Sequence, residues 1–128
     1  MPQELNEALV RSLPDTGPVV MVNLVRYRPR SLDGDGSGED AYLRYSRMTM
    51  PLIKARGGTA LWAGTVEGAA FGDAGTKWDY AVMVRYPSRA AFLDMVTSPE
   101  YAAANVHREA GVAEHLILAA SETYSKLG

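Results

Sequence analysis

The sequence YPSRAAFLDMVTSPEY, residues Tyr86–Tyr101, contains the end of one strand and the starts of two helices. Pro87 marks the end of the strand, because proline has no backbone N–H to donate to a sheet. Ser88 has a side chain typical of a helix N-cap, and Ser98-Pro99 repeats that kind of start ten residues later. This stretch therefore predicts a strand followed by a helix that breaks once and begins again.

The same alternation of strands and helices extends over the rest of the chain. An amphipathic helix with Leu5, Leu9 and Leu13 is predicted before Pro14, and Gly57-Gly58 ends the helix that follows the first strand. The predicted strands are Val19–Arg28, Thr59–Gly68, Trp78–Tyr86 and Ala113–Ala120, and the predicted main helices are Asp40–Arg56, Arg89–Thr97 and Glu100–Ala110. The first main helix has an apolar stripe at helical spacing, formed by Ala41, Tyr45, Met48, Leu52 and Ala55.

This order, βαββαβ after an N-terminal arm, predicts an α+β protein with the two-layer, ferredoxin-like fold and a four-stranded antiparallel sheet. We divide the chain into a helical arm at residues 1–18, a ferredoxin-like domain at residues 19–120 and a polar tail at residues 121–128.

The strands are apolar on both faces. In the first strand, Val19 and Met21 point one way while Val20, Val22 and Leu24 point the other. An antiparallel sheet with one solvated face alternates apolar with polar residues, so both faces are expected to be covered. Right-handed crossovers place both helices on one face. We therefore predict a homodimer in which two sheets pack face to face.

Composition excludes several classes of protein. The net charge is −2, which offers no basic surface for nucleic acid or anionic lipid. No apolar run approaches the length of a membrane span, and the first residues lack the pattern of a signal peptide. The chain has no cysteine, hence no disulfide and no cysteine-ligated metal. We expect a cytoplasmic protein with no nucleic-acid or membrane partner.

Five segments together resemble the family called domain of unknown function 1330, within the dimeric α+β-barrel superfamily. They are VVMVNLVRYR (19–28), AYLRYSRMTMPLIKARGG (41–58), LWAGTVEG (61–68), KWDYAVMVRYPSRAAFLDMVTSPEY (77–101) and HREAGVAEHLILA (107–119). The resemblance covers roughly Val19 to Ala120. The N-terminal helix and the longer Gly/Asp loop, Ser31 to Gly38, are additions that a minimal member of the family would lack. The resemblance implies a fold but no settled activity, since the superfamily includes cofactor-free monooxygenases, lactone isomerases, haem-handling enzymes and ligand binders.

His107 and Arg108 are the candidate catalytic residues. A histidine titrates near neutral pH, and an arginine binds an anionic group through two parallel hydrogen bonds. The alternative is that His107 caps helix-end carbonyls and that Arg108 pairs with Glu109 or Glu114.

The candidate ligand-binding residues are Asn23, Tyr42, Trp62 and Trp78. Asn23 is the one uncharged polar residue in an apolar strand, and a buried amide needs a partner, which is either a ligand or a backbone group. The aromatic residues suit the wall of an apolar cavity, and core packing is the alternative.

No metal site is predicted. Asp33-Gly-Asp35-Gly imitates the start of a calcium loop, but Arg44 stands where that loop requires a bidentate glutamate. A haem-handling protein would need His107 or His115 as an axial ligand, and His115 is expected instead to pack at the sheet surface or at the dimer seam.

Together these observations predict a homodimer that binds, and in one version of the hypothesis converts, a small organic molecule without a cofactor. The alternative is a non-catalytic dimerisation or ligand-sensing module. A cavity of several hundred Å³ between sheet and helices favours the first hypothesis, and a filled interior favours the second.

Overall fold

The computed structural model describes residues 4–127. Its elements are α1 (Glu7–Ser12), β1 (Val19–Tyr27), α2 (Gly38–Ala55), β2 (Thr59–Thr65), β3 (Tyr80–Tyr86), α3 (Arg89–Val96), α4 (Pro99–Gly111) and β4 (Val112–Ala120). The four strands form one antiparallel sheet in the order β2-β3-β1-β4. This is the predicted α+β, ferredoxin-like arrangement, and it is confirmed.

Serine side chains set the helix starts as the sequence predicts. The Ser88 hydroxyl accepts a hydrogen bond from the Ala91 amide at 3.0 Å, and the Ser98 hydroxyl accepts one from the Tyr101 amide at 3.1 Å. Helix α2 begins slightly earlier than predicted, because Ser37 and Asp40 form a reciprocal capping box. These caps fix the direction in which α4 approaches the sheet.

The buried face of α2 differs from the predicted stripe. Met48 was expected in the core but is 38% exposed, whereas Tyr42, Thr49 and Ile53 are buried. The helix is rotated toward these residues because its first turn packs closely against the end of α4. A Cβ atom on Gly38 or on Gly111 would overlap the backbone of the other helix.

One face of the sheet packs on the helices and the other does not. Val19, Met21 and Val25 of β1 point toward the helices and are at most 2% exposed. The opposite face presents apolar side chains to the surroundings of the protomer, including Trp62, Leu116 and Leu118, which are 41–50% exposed. We call this opposite side the open face; the residues that the strand registers place on it together are Val20, Val22, Leu24, Trp62, Ala81, Met83, Leu116, Leu118 and Ala120.

Two predicted strands are shorter in the structure. β2 ends at Thr65 and β3 begins at Tyr80, so residues 66–79 form a loop that contains Trp78. No helix in the part of the chain that the structure describes is long and apolar enough to cross a membrane. The division into an arm, a domain and a tail stays a prediction.

Candidate functional site

A chain of buried polar side chains crosses the helix-facing side of the sheet. Asn23 in β1 and His115 in β4 are 8% and 9% exposed, respectively. The Asn23 side-chain oxygen lies 2.9 Å from His115 Nε2. The Asn23 amide nitrogen donates to the carbonyl of Met21 at 3.1 Å and to the carbonyl of Val82 at 3.3 Å. The buried amide therefore has protein partners, as the backbone alternative for Asn23 requires.

Arg108 continues the chain from helix α4. Its Nε donates to His115 Nδ1 at 2.8 Å, and its Nη1 donates to the Asn105 side-chain oxygen at 3.1 Å. Arginine has no acceptor, so His115 Nδ1 must be the acceptor in this contact and Nε2 carries the ring proton. His115 Nε2 then donates to Asn23. A single tautomer of His115 therefore fits its contacts with both Arg108 and Asn23.

This environment keeps His115 neutral. Burial, with the Arg108 charge as a second cause, lowers the pKa of His115 from 6.5 to about 3. A histidine with such a pKa does not act as a general acid or base near neutral pH. With both ring nitrogens hydrogen-bonded, His115 also does not fit an axial ligand of haem.

Arg108 and His115 line a cleft of about 470 Å³. The cleft lies between α1, α3, α4 and the helix-facing side of β4. Its polar wall consists of Asn105, Arg108 and His115, and Glu4, Asn6 and Glu109 also contribute to the lining. Apolar residues form most of the remaining surface, namely Leu5, Leu9, Val10, Met21, Phe92, Val96, Tyr101, Ala102, Leu116, Ile117 and Ala119. The shape and lining suit an organic molecule with an apolar body.

A second hollow of about 80 Å³ adjoins the cleft inside the core. Tyr101 lines both spaces, and its hydroxyl lies 2.8 Å from the Tyr45 hydroxyl. Burial raises the pKa of Tyr45 well above its usual value, with the neighbouring Tyr101 as the next cause. Both observations keep the Tyr45 hydroxyl protonated and available only as a hydrogen-bonding group.

The structure brings Asn23, Arg108 and Tyr42 together. The Tyr42 ring is 5% exposed and meets the His115 ring edge-on, with 6.4 Å between centroids. Tyr42 lines the inner hollow rather than the outer cleft, and burial raises its pKa to about 12. Arg108 donates hydrogen bonds to His115 and Asn105, and neither of these residues is among its expected alternative partners, Glu109 and Glu114.

The other predicted site residues lie elsewhere. His107 does not line the cleft, and its Nδ1 accepts a 3.4 Å hydrogen bond from Arg44 Nε on the outer side of α2 and α4. Trp62 lies on the open face of the sheet, opposite the helices. Trp78 lies in the loop before β3 and lines neither space. The structure therefore does not bring these three residues together with Asn23, and their assignment to a functional site stays a prediction.

In the Gly/Asp loop, the Asp33 carboxylate pairs with the Arg44 side chain of α2. Arg44 Nη2 lies 3.0 Å from Asp33 Oδ2. Hydrogen bonds from the Ser31 hydroxyl and the Asp35 amide, followed by the Arg44 charge, lower the pKa of Asp33. No cluster of three or more metal-ligating side chains occurs among residues 4–127.

The sequence does not single out Asn105, and of the two positions expected for His115 the structure shows the sheet surface, on the side that faces the helices. The available signal was the seven-residue separation of Arg108 and His115 across the α4–β4 junction. A helix end that turns directly into a strand brings such a pair together, because the connection contains no loop.

Replacing Asn23 by leucine tests the buried chain. The substitution removes the acceptor that Asn23 provides to the His115 Nε2–H, so the free energy of unfolding should fall by about 2 kcal/mol. Asn105→Leu is the matched control, because its amide also contacts Arg108 but is less buried; its cost should stay below about 1 kcal/mol. Urea denaturation at pH 7.5 measures both. Equal losses of unfolding free energy in the two variants would show that the buried polar contacts of Asn23 have no special role in stability.

Comparisons with known proteins agree with the fold. The protein RPA0582 of Rhodopseudomonas palustris, of unknown function, is 33% identical, with 96% of this chain and 97% of that chain covered and a TM-score of 0.86. A dimeric ferredoxin-like protein of unknown function from Thermobifida fusca is 16% identical, with coverages of 87% and 97% and a TM-score of 0.54. SnoaB, a cofactor-independent oxygenase from Streptomyces nogalater, is 14% identical, with coverages of 84% and 97% and a TM-score of 0.52. The two remote likenesses concern the fold alone.

No curated protein matches this sequence. The family model described as Domain of unknown function (DUF1330) matches residues 35–121. Together with the 33% identity to the Rhodopseudomonas protein over nearly its whole length, this match establishes the predicted membership. The chain belongs to the DUF1330 family.

Proposed function

We propose that this protein is a homodimer that binds a small organic molecule in the cleft beneath α1. The cleft of about 470 Å³ carries the proposal, because its apolar lining surrounds one wall of fixed polar side chains. Arg108 and Asn105 are the ligand-facing residues of that wall, and His115 holds Arg108 in place. Asn23 acts through His115 and is a positioning residue.

The open face supports the homodimer. Exposed apolar surface of this extent on a regular sheet is typical of an interaction surface. A twofold axis would place the open faces of two protomers against each other, and a fold neighbour from Thermobifida fusca is itself a dimeric ferredoxin-like protein. The proposal includes a cytoplasmic location for the protein. A chain that contains no cysteine is compatible with this location.

Conversion of the bound molecule is the second candidate. The fold of SnoaB, a cofactor-independent oxygenase, favours it, and Tyr101, which lines both the cleft and the inner hollow, offers a hydrogen-bonding group there. Binding is the better-supported function, because His115 stays neutral and His107 lies outside the cleft. A dimerisation module without a ligand is the remaining alternative.

A substitution that fills the cleft tests ligand binding. Ala119 lines the cleft and is exposed, so Ala119→Trp should occupy the space without disturbing the core. The neutral fluorescent probe N-phenyl-1-naphthylamine should bind the original protein with increased emission, and the Ala119→Trp variant should bind at least about tenfold more weakly.

Ala103→Trp serves as the control, because Ala103 is exposed on α4 and does not line the cleft. Probe binding that is unaffected by Ala119→Trp would place the ligand elsewhere. If the protein were dimeric but bound no probe, the dimerisation module would become the better explanation.

A further inference from the structure

The described residues that line the inner hollow are all uncharged. Their polar members are four tyrosines, Ser46, Thr49 and Asn23, and the others are apolar. Burial raises the pKa of Tyr45 and of Tyr86 above the usual value, so both hydroxyls stay protonated near neutral pH. A charged group placed among these side chains would lose its hydration without an opposite charge in return. The part of a ligand that enters the hollow is therefore uncharged.

The Tyr45–Tyr101 pair holds one hydroxyl proton more than the described residues use. The two hydroxyls carry two protons, and the 2.8 Å contact between their oxygens uses one of them. Neither hydroxyl has a second acceptor in the part of the chain that the structure describes. Asn23, Thr49 and Tyr86, by contrast, donate to protein acceptors. The pair therefore offers a donor to an oxygen atom of a ligand.

The hollow has room for the end of a ligand but not for its body. Its volume of about 80 Å³ suits a few heavy atoms, whereas pockets for whole organic ligands measure roughly 300–1,000 Å³. The hollow and the cleft of about 470 Å³ share one wall, formed by Met21, Phe92, Val96, Tyr101 and Ile117. A ligand whose body lies in the cleft would meet the hollow at this wall.

The cleft gives no reason for a charge on the ligand. Arg108 already donates to His115 and Asn105 within the protein. The two carboxylates of the described lining, Glu4 and Glu109, are exposed, so water and salt screen them. Most of the lining is apolar, and burying a hydrocarbon body against it is favourable.

We infer that the ligand is an uncharged apolar compound with a carbonyl oxygen, which accepts the second hydroxyl proton of the Tyr45–Tyr101 pair while the hydrocarbon body lies in the cleft. A carbonyl oxygen accepts without bringing a proton of its own, so it leaves no unsatisfied donor in the hollow. This inference rests on the proposed small-molecule function. It adds the chemical class of the ligand and the residues that select it.

Isothermal titration calorimetry of the full chain with 2-octanone, octanoate and octylammonium tests the class, because the three compounds have the same number of carbon atoms. 2-Octanone should bind at least about tenfold more tightly than either ion. The double variant Tyr45→Phe, Tyr101→Phe should bind 2-octanone about fivefold more weakly, which is the loss expected for one hydrogen bond. Both tyrosines are replaced together, because either hydroxyl alone could still donate to the ligand.

The double variant Tyr27→Phe, Tyr80→Phe is the matched control. These two tyrosines also contact each other, with 6.4 Å between ring centroids, but they line neither the hollow nor the cleft. Their replacement should leave the affinity for 2-octanone unchanged.

Infrared spectroscopy of the original chain gives a second readout that does not depend on the folding of a variant. With 2-octanone labelled isotopically at the carbonyl carbon, the C=O stretching band of the complex should lie at lower frequency than in hexane, because the bound carbonyl accepts a hydrogen bond. In the Tyr45→Phe, Tyr101→Phe variant the band should return toward its position in hexane.

Each contrary result identifies the proposal that fails. If either ion binds as tightly as 2-octanone, or if the bound carbonyl absorbs at the hexane frequency, the ligand class is wrong and the small-molecule function stands. The same holds if Tyr45→Phe, Tyr101→Phe keeps full affinity, or if the control pair loses as much. If none of the three compounds binds, both proposals are wrong.

Discussion

Replacing Leu118 by glutamate is expected to convert the dimer into a folded monomer. Leu118 is 50% exposed in the protomer and lies on the open face, opposite Val22 of β1. In the proposed dimer it becomes buried, and each substitution is present twice because the axis is twofold. An unpaired carboxylate in an apolar interface costs several kcal/mol, so the dissociation constant should rise at least about 100-fold.

The fold of the protomer should survive this change. Half of the Leu118 surface is already exposed in the protomer, so glutamate at this position keeps its charge in water once the dimer separates. Light scattering at micromolar protein should give the mass of a dimer for the original chain and of a monomer for the variant. Circular dichroism should give the same helix and strand content for both.

Leu43→Glu is the matched control. Leu43 is 44% exposed on α2, away from the open face, and its substitution should leave the dimer intact. A monomeric original chain, or a Leu118→Glu variant that stays dimeric, would remove the open face from the interface. If Leu118→Glu fails to fold, Trp62→Glu repeats the test on β2, because Trp62 is 48% exposed on the same face and does not line the cleft.

Local signals in the sequence were enough to predict the order of the elements. Ser88 and Ser98 are N-caps in the structure as expected. The many apolar residues of the strands predict their positions in the sequence. Because both faces of the strands are apolar, however, the sequence does not show which face meets the helices. Val19 and Val20 are equally apolar, and only the tertiary structure shows that Val19 belongs to the core beneath the helices whereas Val20 lies on the open face.

Only part of the candidate site can be predicted from the sequence. One reason is that residues adjacent in the sequence of a helix do not share the same surroundings. Successive residues on an α-helix point about 100° apart, so His107 and Arg108 face different surroundings. Arg108 enters the cleft, and His107 contacts Arg44 on the outer side. The helical spacing alone argued against giving both residues one task.

Trp62 was misplaced for a different reason. Simple alternation from Ala60 would put Trp62 on the same face, but the register between β2 and β3 shifts between these two residues. A bulge adds a residue to one strand and thereby reverses the face of everything after it. Its position depends on the pairing with β3, which the sequence of β2 does not determine.

The buried position of His115 should make the protein lose stability in mild acid. The pKa of His115 falls from 6.5 in the unfolded chain to about 3 in the folded state, chiefly because of burial and then because of the Arg108 charge. Between these two values the unfolded state binds a proton that the folded state does not. Stability is therefore complete above pH 6.5 and decreases as the pH falls toward 3, by up to about 1.4 kcal/mol per pH unit.

Between pH 6.5 and pH 4.5 the free energy of unfolding should fall by about 2 kcal/mol. Urea denaturation at one fixed protomer concentration measures this decrease. The pKa values of Asp33 and Asp40 lie below their ordinary 3.8, so their titration falls beneath this range. His115→Gln should abolish the slope, because an amide can accept from Arg108 and donate to Asn23 but does not titrate. His107→Gln removes the other of the two histidines and should preserve the slope. If the slope survives in His115→Gln, the acid sensitivity arises from other groups, and His115 is not held neutral by the fold.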